Sequence, residues 1–148
     1  MDIALGEIFT GVFTNSDDLW TALDAAGARE HDRFWRMPLS DDYAPQIHGS
    51  NADLQNTGGR PAGSCTAALF LKAFVPELES EDGAGRVRWA HIDMAGTMEA
   101  SRKGPYQEKG MTGRPTRCVC VCFAAYMRPD RCCWFFRALV EFARRFAQ

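Results

Sequence analysis

The sequence predicts an α/β fold, and three observations lead to this prediction. In residues 88–94, apolar residues are interrupted only by single polar ones, and this pattern ends at the small residues Ala95 and Gly96, which is typical of a short buried strand. From Ser64 onward, apolar residues recur at the spacing of a helix that packs on a sheet. Loops separate these segments, so the chain runs helix, loop, strand, loop, helix, which is the order of an α/β domain.

Composition restricts the class of protein further. The 148 residues suit one domain, and 46% hydrophobic with 24% charged residues is ordinary for a globular protein. A net charge of −2 gives no support for a nucleic-acid or anionic-membrane partner. Crossing a bilayer needs ~20 consecutive apolar residues, and the longest uncharged apolar run, 118–127, is much shorter. Since the sequence opens without a basic, signal-like segment, we expect a cytoplasmic location.

The first thirty residues predict a strand and a surface helix. Residues 1–5 are expected to form a short buried segment, and residues 11–14 a strand. Ser16 is a candidate N-cap and Gly27 a candidate C-cap of the helix between them. Its apolar residues recur at helical spacing: Leu19, Trp20, Leu23 and Ala26. The Asp17–Asp18 pair complements the helix dipole, which explains it more simply than metal binding or acid–base chemistry.

Residues 34–63 predict mostly extended and loop structure. Pro38 restricts residues 34–39 to an edge strand or an extended connection, and residues 43–47 suit a helical turn. Residues 51–63 are rich in Asn, Asp and Gly, and Gly58–Gly59 indicates a loop with unusual backbone angles. A phosphate-binding loop would need a preceding strand and a closing Gly-Lys-Ser/Thr, and the sequence predicts neither.

The next segments complete the predicted fold. The helix from Ser64 carries an apolar stripe and should end at Pro76; the stripe is Ala67, Phe70, Leu71 and Phe74. Residues 77–86 are acidic and contain glycine, which predicts an exposed loop before the strand. Residues 96–112 are expected to form a long functional loop, and Pro115 suits the first turn of a final helix. Since ligands lie beyond the carboxyl ends of strands in open α/β sheets, residues 95–98 are the expected substrate position.

The histidines and one isolated cysteine are interpreted as structural. His31, His48 and His91 lie far apart and lack the spacing of metal ligands. His91 and Asp93 alternate onto one face of the strand, where they could orient a site or satisfy each other. Cys65, near a helix start, could have a lowered pKa, but a small residue packed on the sheet is the simpler interpretation.

Five of the six cysteines lie within residues 118–133. Cys118 and Cys122 have the spacing of a zinc-binding pair, with Cys120 between them. Cys132 and Cys133 are adjacent, however, and adjacent cysteines do not suit the second pair of a structural zinc site. The cluster is therefore a weak candidate for a metal site.

Four segments are the most recognisable part of the sequence. They are RFWRMPL (33–39), ADLQNTGGR (52–60), AGSCTAALFLKAFV (62–75) and WAHIDMAGTMEASRKGPYQEKGMTGRPTR (89–117). Together they resemble the leucine aminopeptidase, or cytosol aminopeptidase, family, over nearly the whole chain apart from residues 118–136 and part of 77–86. The resemblance implies that residues 1–148 are the C-terminal portion of a mixed-sheet α/β/α metallopeptidase catalytic domain, which is incomplete.

The resemblance also implies a function. Family members are homo-hexamers that release N-terminal residues such as leucine from peptides, with two divalent ions (zinc, manganese or magnesium) that polarise the scissile carbonyl. Their ligand motif, Asn-Thr-Asp-Ala-Glu-Gly-Arg, is absent, and Asn56–Arg60 lacks its carboxylates, so no catalytic residue or metal ligand is assigned to this chain. Ala95 and Met98 match positions that line the substrate pocket; ordinary turn packing is the alternative.

Two expectations concern the origin of the sequence. In the family, the motif GMTGRPTR runs directly into a closing helix, which residues 137–148 resemble, so residues 118–136 are expected to be an insertion. A repeated TG dinucleotide would encode the alternating Cys and Val from Cys118, and a pyrimidine-rich tract before a splice junction would suit the aromatic residues 134–136. The segment is therefore interpreted as a translated intron. The match starts at Met1, which in relatives lies after the metal motif, so the chain is expected to be a fragment, inactive alone. The alternative function is a non-catalytic or interaction-only product.

Overall fold

A computed structural model describes residues 1–76, 78 and 87–126. Its elements are, in chain order, α1 (Asp2–Leu5), β1 (Thr10–Thr14), α2 (Asp17–Glu30), β2 (Phe34–Arg36), a 3-10 helix (Asp41–Gln46), α3 (Gly63–Lys72), β3 (Ala90–Asp93), β4 (Glu99–Ala100), β5 (Gly110–Met111) and α4 (Thr116–Tyr126). Most of the loop predicted over 77–86 lies outside the described residues. The same is true of the predicted closing helix and of Cys132 and Cys133.

The main sheet is mixed and has the strand order β2-β1-β3. β1 pairs with β2 in parallel and with β3 in the antiparallel direction. Side chains of β1 alternate between two hydrophobic clusters, because successive residues of a strand point to opposite faces. Val12 packs with α2 and α4, whereas Phe13 packs with Cys65 and Ala68 of α3. Helices therefore cover both faces of the sheet, which confirms the predicted mixed-sheet α/β organisation.

Helix α2 begins as predicted but ends later. The hydroxyl of Ser16 accepts a hydrogen bond from the amide of Leu19, 3.3 Å away, as an N-cap does. Gly27 is not the C-cap: the helix continues to Glu30, and His31 takes the left-handed conformation that ends it. Gly27 serves close packing, since a Cβ there would lie 2.4 Å from the carbonyl oxygen of Asp32. The interpretation of Gly27 as a helix end was therefore wrong.

Helix α3 forms where it was predicted but buries a different face. Leu71 and Phe74 of the predicted stripe are 42% and 66% exposed. The face against the sheet and the 3-10 helix consists of Cys65, Thr66, Ala68 and Leu69. Apolar residues recur at helical spacing on two adjacent faces of this segment, so the pattern alone favoured the wrong one. The helix also ends at Lys72, four residues before Pro76.

The N-terminal segment and the region after β3 also differ from expectation. Residues 1–5 are not a buried segment: they contain α1, whose Ile3 is fully exposed, and only the side chain of Met1 packs on the sheet. A four-residue helix makes only about one turn, so few of its side chains can face the sheet. The region 96–112 is not only a loop, since β4 and β5 pair within it as a short antiparallel hairpin. Among the described strands, β2 lies at an edge of the main sheet, as Pro38 predicted.

No helix within the described ranges is long and apolar enough to cross a bilayer.

Candidate substrate-binding corner

The candidate site is the corner Ala95–Met98, which directly follows β3. Gly11 of β1 pairs with Asp93, and Thr14 pairs with Ala90, so β3 ends where β1 begins. The carboxyl end of β3 therefore lies at the opposite end of the sheet from those of β1 and β2, and the rule for parallel sheets does not place this site. All four residues of β3 are half-buried. The expectation of a fully buried strand was wrong, because no strand of the described part of the chain covers the outer side of β3.

Local hydrogen bonds shape the corner into a single turn. The carboxylate of Asp93 accepts from the amide of Ala95 at 3.1 Å, and the amide of Met98 donates to the carbonyl of Met94 at 3.0 Å. Ala95 and Met94 are exposed, and Met98 is 40% exposed. The two residues predicted to line a substrate pocket thus lie on one turn, three positions apart, and both reach solvent.

Three threonines from distant parts of the chain hold this turn in place; we call them the threonine clamp. Thr97 is only 2% exposed, and its hydroxyl is 2.9 Å from the hydroxyl of Thr10 in β1. Thr112 donates its hydroxyl to the carbonyl of Thr97 at 2.5 Å and its amide to the carbonyl of Met98 at 2.8 Å. The clamp ties the corner to the sheet on one side and to the hairpin on the other. Isolated threonines give no sequence signal, so it was not predicted.

Gly96 brings the N-terminal residues against the corner. Its φ of 117° lies in the region that favours glycine, and a Cβ there would lie 2.5 Å from the carbonyl oxygen of Gly6. Nearby, the carboxylate of Glu7 accepts from the amide of Ser101 at 3.4 Å. Hydrogen bonds from Ser101 hold the pKa of Glu7 below its usual value. Residues 2–7 therefore contact both the corner, at Gly96, and the end of β4, at Ser101.

The histidines have structural contacts, as predicted. His91 stacks on Trp89 with ring centroids 6.3 Å apart and lies 5.8 Å from the ring of Phe13. Burial lowers the pKa of His91, and the neighbouring Asp93 opposes that shift. His31 ends α2, and Nδ1 of His48 is 3.2 Å from the carbonyl oxygen of Asp53.

The described cysteines are buried or half-buried thiols. Burial raises the pKa of Cys65, which packs on Phe13, so a nucleophile with a lowered pKa is contradicted. Burial also raises the pKa of Cys118 to about 12. Its thiol is 3.7 Å from the carbonyl oxygen of Leu23, and with Cys122 it lies in the core beside α2. These environments suit packing and not thiolate chemistry.

A buried ion pair joins the start of β2 to the segment before α4. The carboxylate of Asp32 is 3.4 Å from Nε of Arg114, and only 7% of the Asp32 side chain is exposed. Burial raises the pKa of Asp32, although Arg114 and Arg117 oppose the shift. The pair is far from the corner in sequence, but Arg114 also donates its amide to Thr112 of the threonine clamp at 3.1 Å.

The described residues do not by themselves form the two-metal centre that the family resemblance implies. Across 1–76, 78 and 87–126, no group of three or more His, Cys, Asp or Glu side chains could hold a metal ion. Asn56–Arg60 lies in irregular structure and carries no carboxylate. We therefore assign no metal ligand to the described part of the chain.

Comparisons with known proteins agree with the resemblance. The sequence model of the catalytic domain of the cytosol aminopeptidase family matches residues 1–120. The cytosol aminopeptidase of Homo sapiens is 50% identical over 119 residues, which are 79% of this chain and 21% of that protein. The related proteins at the head of that comparison share 46–50% identity, and the chain spans only about a fifth to a quarter of their length.

Solved structures show the same relationship. The cytosol aminopeptidase of Coxiella burnetii superposes with a TM-score of 0.71 at 33% identity, over 85% of this chain and 26% of that one. The bottromycin maturation enzyme BotP, solved in complex with Mn, gives 0.72 at 32% identity, over 84% and 26%. This chain belongs to the cytosol aminopeptidase family and corresponds to part of its catalytic domain.

Proposed function

We propose that this chain contributes one wall of the substrate pocket of a metal-dependent aminopeptidase, which releases N-terminal residues such as leucine from peptides. The match of the family's catalytic domain to residues 1–120 carries the proposal, because that range includes the whole corner. A catalytic domain of this family implies a peptide substrate. The activity is proposed for the domain of which this chain is a part.

Within that domain, we assign Ala95 and Met98 to the pocket for the N-terminal side chain. Both reach solvent from one turn, and the hydrogen bonds of the threonine clamp join that turn to the sheet and the hairpin. Alanine leaves space, and the flexible thioether of methionine adapts to apolar groups of different shape. This pair suits an aliphatic side chain such as leucine.

The metal centre, the assembly and the location are also part of the proposal. We propose that the activity uses two divalent ions (zinc, manganese or magnesium), and the presence of Mn in the BotP complex supports a divalent metal. The described residues supply no ligand group, so we place the ligands in other parts of the catalytic domain. We further propose a homo-hexamer, which the family resemblance implies, and a cytoplasmic location, in keeping with the name of the relatives.

The first test is hydrolysis of leucine amide with added Mn²⁺. We expect no turnover from residues 1–148 alone, because the described part of the chain has no metal-ligand group. We expect turnover from a chimera in which this chain replaces the aligned segment of the Homo sapiens enzyme. Metal-dependent turnover by the isolated chain would contradict our placement of the ligands, and an inactive but folded and metal-loaded chimera would contradict the proposed activity.

A substitution in the chimera tests the pocket. Met98→Ala should lower kcat/KM for leucine amide by about 10-fold or more while changing alanine amide less, because removing apolar contact costs ~1–3 kcal/mol with the larger side chain only. Met111→Ala is the matched control, since Met111 is an exposed methionine on β5. Equal losses for both substrates, or equal effects of the two substitutions, would remove Met98 from the pocket.

The alternative is a non-catalytic, interaction-only product. The absence of a metal-ligand group among the described residues favours it for the isolated chain. The chimera separates the two functions, because an interaction-only sequence would not restore hydrolysis.

The segment 118–136 is the subject of a separate hypothesis, that it is an insertion translated from an intron. Its described part, up to Tyr126, belongs to α4, and Cys118 and Cys122 fill core positions there. A product without the segment must refill those positions with other side chains. Sequencing of transcripts from the same cells is the test: a transcript lacking these codons would support the hypothesis, and their presence in every transcript would contradict it.

A further inference from the structure

The ion pair of Asp32 and Arg114 is part of a closed series of contacts around the corner, which we call the contact circuit. Nε of Arg114 lies 3.4 Å from the carboxylate of Asp32. The amide of Arg114 donates to the hydroxyl of Thr112 at 3.1 Å, and that hydroxyl donates to the carbonyl of Thr97 at 2.5 Å. The ion pair is therefore connected to the corner through the threonine clamp.

The contact circuit closes through the start of β1. Asp32 is followed directly by Arg33, whose carbonyl accepts a hydrogen bond from the amide of Thr10 at 2.9 Å. The hydroxyl of Thr10 lies 2.9 Å from the hydroxyl of Thr97, which is the residue where the circuit began. Two segments thus reach the corner, one from the sheet and one from the start of α4. The ion pair joins these two segments to each other.

The segment before α4 also holds the backbone of Met98. The amide of Thr112 donates to the carbonyl of Met98 at 2.8 Å. Between Thr112 and Arg114, Gly113 has a φ of 70°, which lies in the left-handed region that favours glycine. Only this one residue separates the ion pair from the hydrogen bond to Met98. A change in the position of Arg114 therefore bears on the position of Met98.

The ion pair is poorly suited to a purely stabilising role. Only 7% of the Asp32 side chain is exposed, and taking a carboxylate out of water costs free energy that a single contact at 3.4 Å does not fully return. Burial raises the pKa of Asp32 even though Arg114 and Arg117 oppose that shift. A charged contact of this kind does, however, fix the direction of the two groups that make it. The pair is therefore better suited to setting geometry than to adding stability.

We propose that Asp32 and Arg114 are positioning residues for the substrate-binding corner, and that they keep Met98 where it selects the larger aliphatic side chains. The selection of substrate rests on the proposed function, whereas the positioning rests on the contacts of this chain alone. Neither residue belongs to the turn Ala95–Met98, so both act on it through Thr112 and the rest of the contact circuit.

Amide hydrogen exchange of the 148-residue chain tests the positioning without any need for turnover. Asp32→Asn keeps the shape of the side chain and removes its charge. We expect the amides of Met98 and Thr112 to exchange at least about tenfold faster in this variant, because the corner opens locally more often. The amide of Ala73, which bonds the carbonyl of Leu69 at 3.2 Å in α3, should exchange no faster than before.

The chimera with the Homo sapiens enzyme tests the consequence for substrate selection. Asp32→Asn should lower the ratio of kcat/KM for leucine amide to that for alanine amide by about threefold or more, because a displaced Met98 loses apolar contact with the larger side chain only. In the Met98→Ala background, the same substitution should leave this ratio unchanged, since that contact is already absent. A merely structural role would instead lower kcat/KM equally for both substrates and in both backgrounds.

Two further variants separate positioning from a general loss of structure. Arg114→Lys keeps a positive charge beside Asp32 but loses the guanidinium, so it should change the exchange and the substrate ratio in the same direction. Asp17→Asn is the matched control, because Asp17 pairs with Arg36 at 2.6 Å on the exposed surface, and it should change neither quantity. Circular dichroism shows whether each variant is folded.

The outcomes decide the proposal as follows. Faster exchange of Met98 and Thr112 in a folded variant would support it, and unchanged exchange would overturn it. An unchanged substrate ratio in an active chimera, or unfolding of both Asp32→Asn and Arg114→Lys, would also overturn it. An unsubstituted chimera that is folded and metal-loaded but does not hydrolyse leucine amide would contradict the proposed function instead, and the exchange experiment would still decide whether the ion pair positions the corner.

Discussion

The threonine clamp gives the sharpest stability prediction. Thr10 and Thr97 are each 2% exposed, and their hydroxyls are 2.9 Å apart. Thr97→Val keeps the shape of the side chain but leaves the Thr10 hydroxyl buried without this partner. An unsatisfied buried polar group costs ~1–3 kcal/mol, so we expect a loss of about 2 kcal/mol in the free energy of unfolding. That loss corresponds to a fall in Tm of roughly 4–8 °C at this chain length.

Thr10→Val, which removes the other hydroxyl of the pair, should destabilise the fold less than Thr97→Val, because the hydroxyl that remains has a second hydrogen-bond partner. After Thr10→Val, the Thr97 hydroxyl still has the carbonyl of Met94 at 3.4 Å. The double variant removes both hydroxyls and leaves neither unsatisfied, so it should be less destabilised than the sum of the single variants by about 1 kcal/mol or more. Urea unfolding of the four proteins measures this coupling energy.

The outcome that refutes the reasoning is additivity. If the double variant loses the sum of the two single losses, the hydroxyls do not interact and the clamp does not hold the corner through this bond. Thr21→Val is a control, since the Thr21 hydroxyl on α2 is exposed and donates to the carbonyl of Asp17 within its own helix. It should change stability by less than about 0.5 kcal/mol.

The remaining predictions concern one glycine and two titrating groups. Gly96→Ala should destabilise the fold by about 1–3 kcal/mol in urea unfolding, because the positive φ of Gly96 is strained for alanine and the Gly6 carbonyl leaves no room for a Cβ. An unchanged free energy of unfolding would contradict that packing. The raised pKa of Cys118 means that stability is fully present below pH 9.0 and falls as the pH rises from there to about 12, and Cys118→Ala should flatten this dependence. Because the pKa of Asp32 is raised in the folded state, stability is lost as the pH rises through that folded-state pKa. Asp32→Asn should therefore be at least as stable as the unsubstituted chain at pH 7, and its stability should depend less on pH in acid. A clear loss of stability at pH 7 would show that the ion pair with Arg114 outweighs the cost of burial.

The elements that could be predicted from the sequence are those specified by neighbouring residues. Ser16 with two following aspartates is enough to begin α2, and Pro38 is enough to mark β2 as an edge. The family resemblance carried most of the functional prediction, since residues 33–39 and 89–117 are recognisable motifs in a chain with no complete catalytic set. These inferences did not depend on which elements pack against each other in the folded chain.

The errors have a common physical cause, which is dependence on distant partners. Gly27 looked like a helix end, but the carbonyl of Asp32 explains why a glycine stands there. The direction of β3 relative to β1 cannot be deduced from the pattern of β3 itself, and it decides on which end of the sheet the corner lies. The threonine clamp joins Thr10 to Thr97, which are 87 residues apart, so no local sequence pattern predicts this contact.

The contact between the first residues and Gly96 couples two segments that are distant in sequence. The Cα of Asp2 lies 3.1 Å from the place that a Cβ on Gly96 would occupy. Because packed groups transmit displacements, a larger residue at position 96 would shift α1 together with the turn. The position of α1 is therefore an indirect reporter of the shape of the corner.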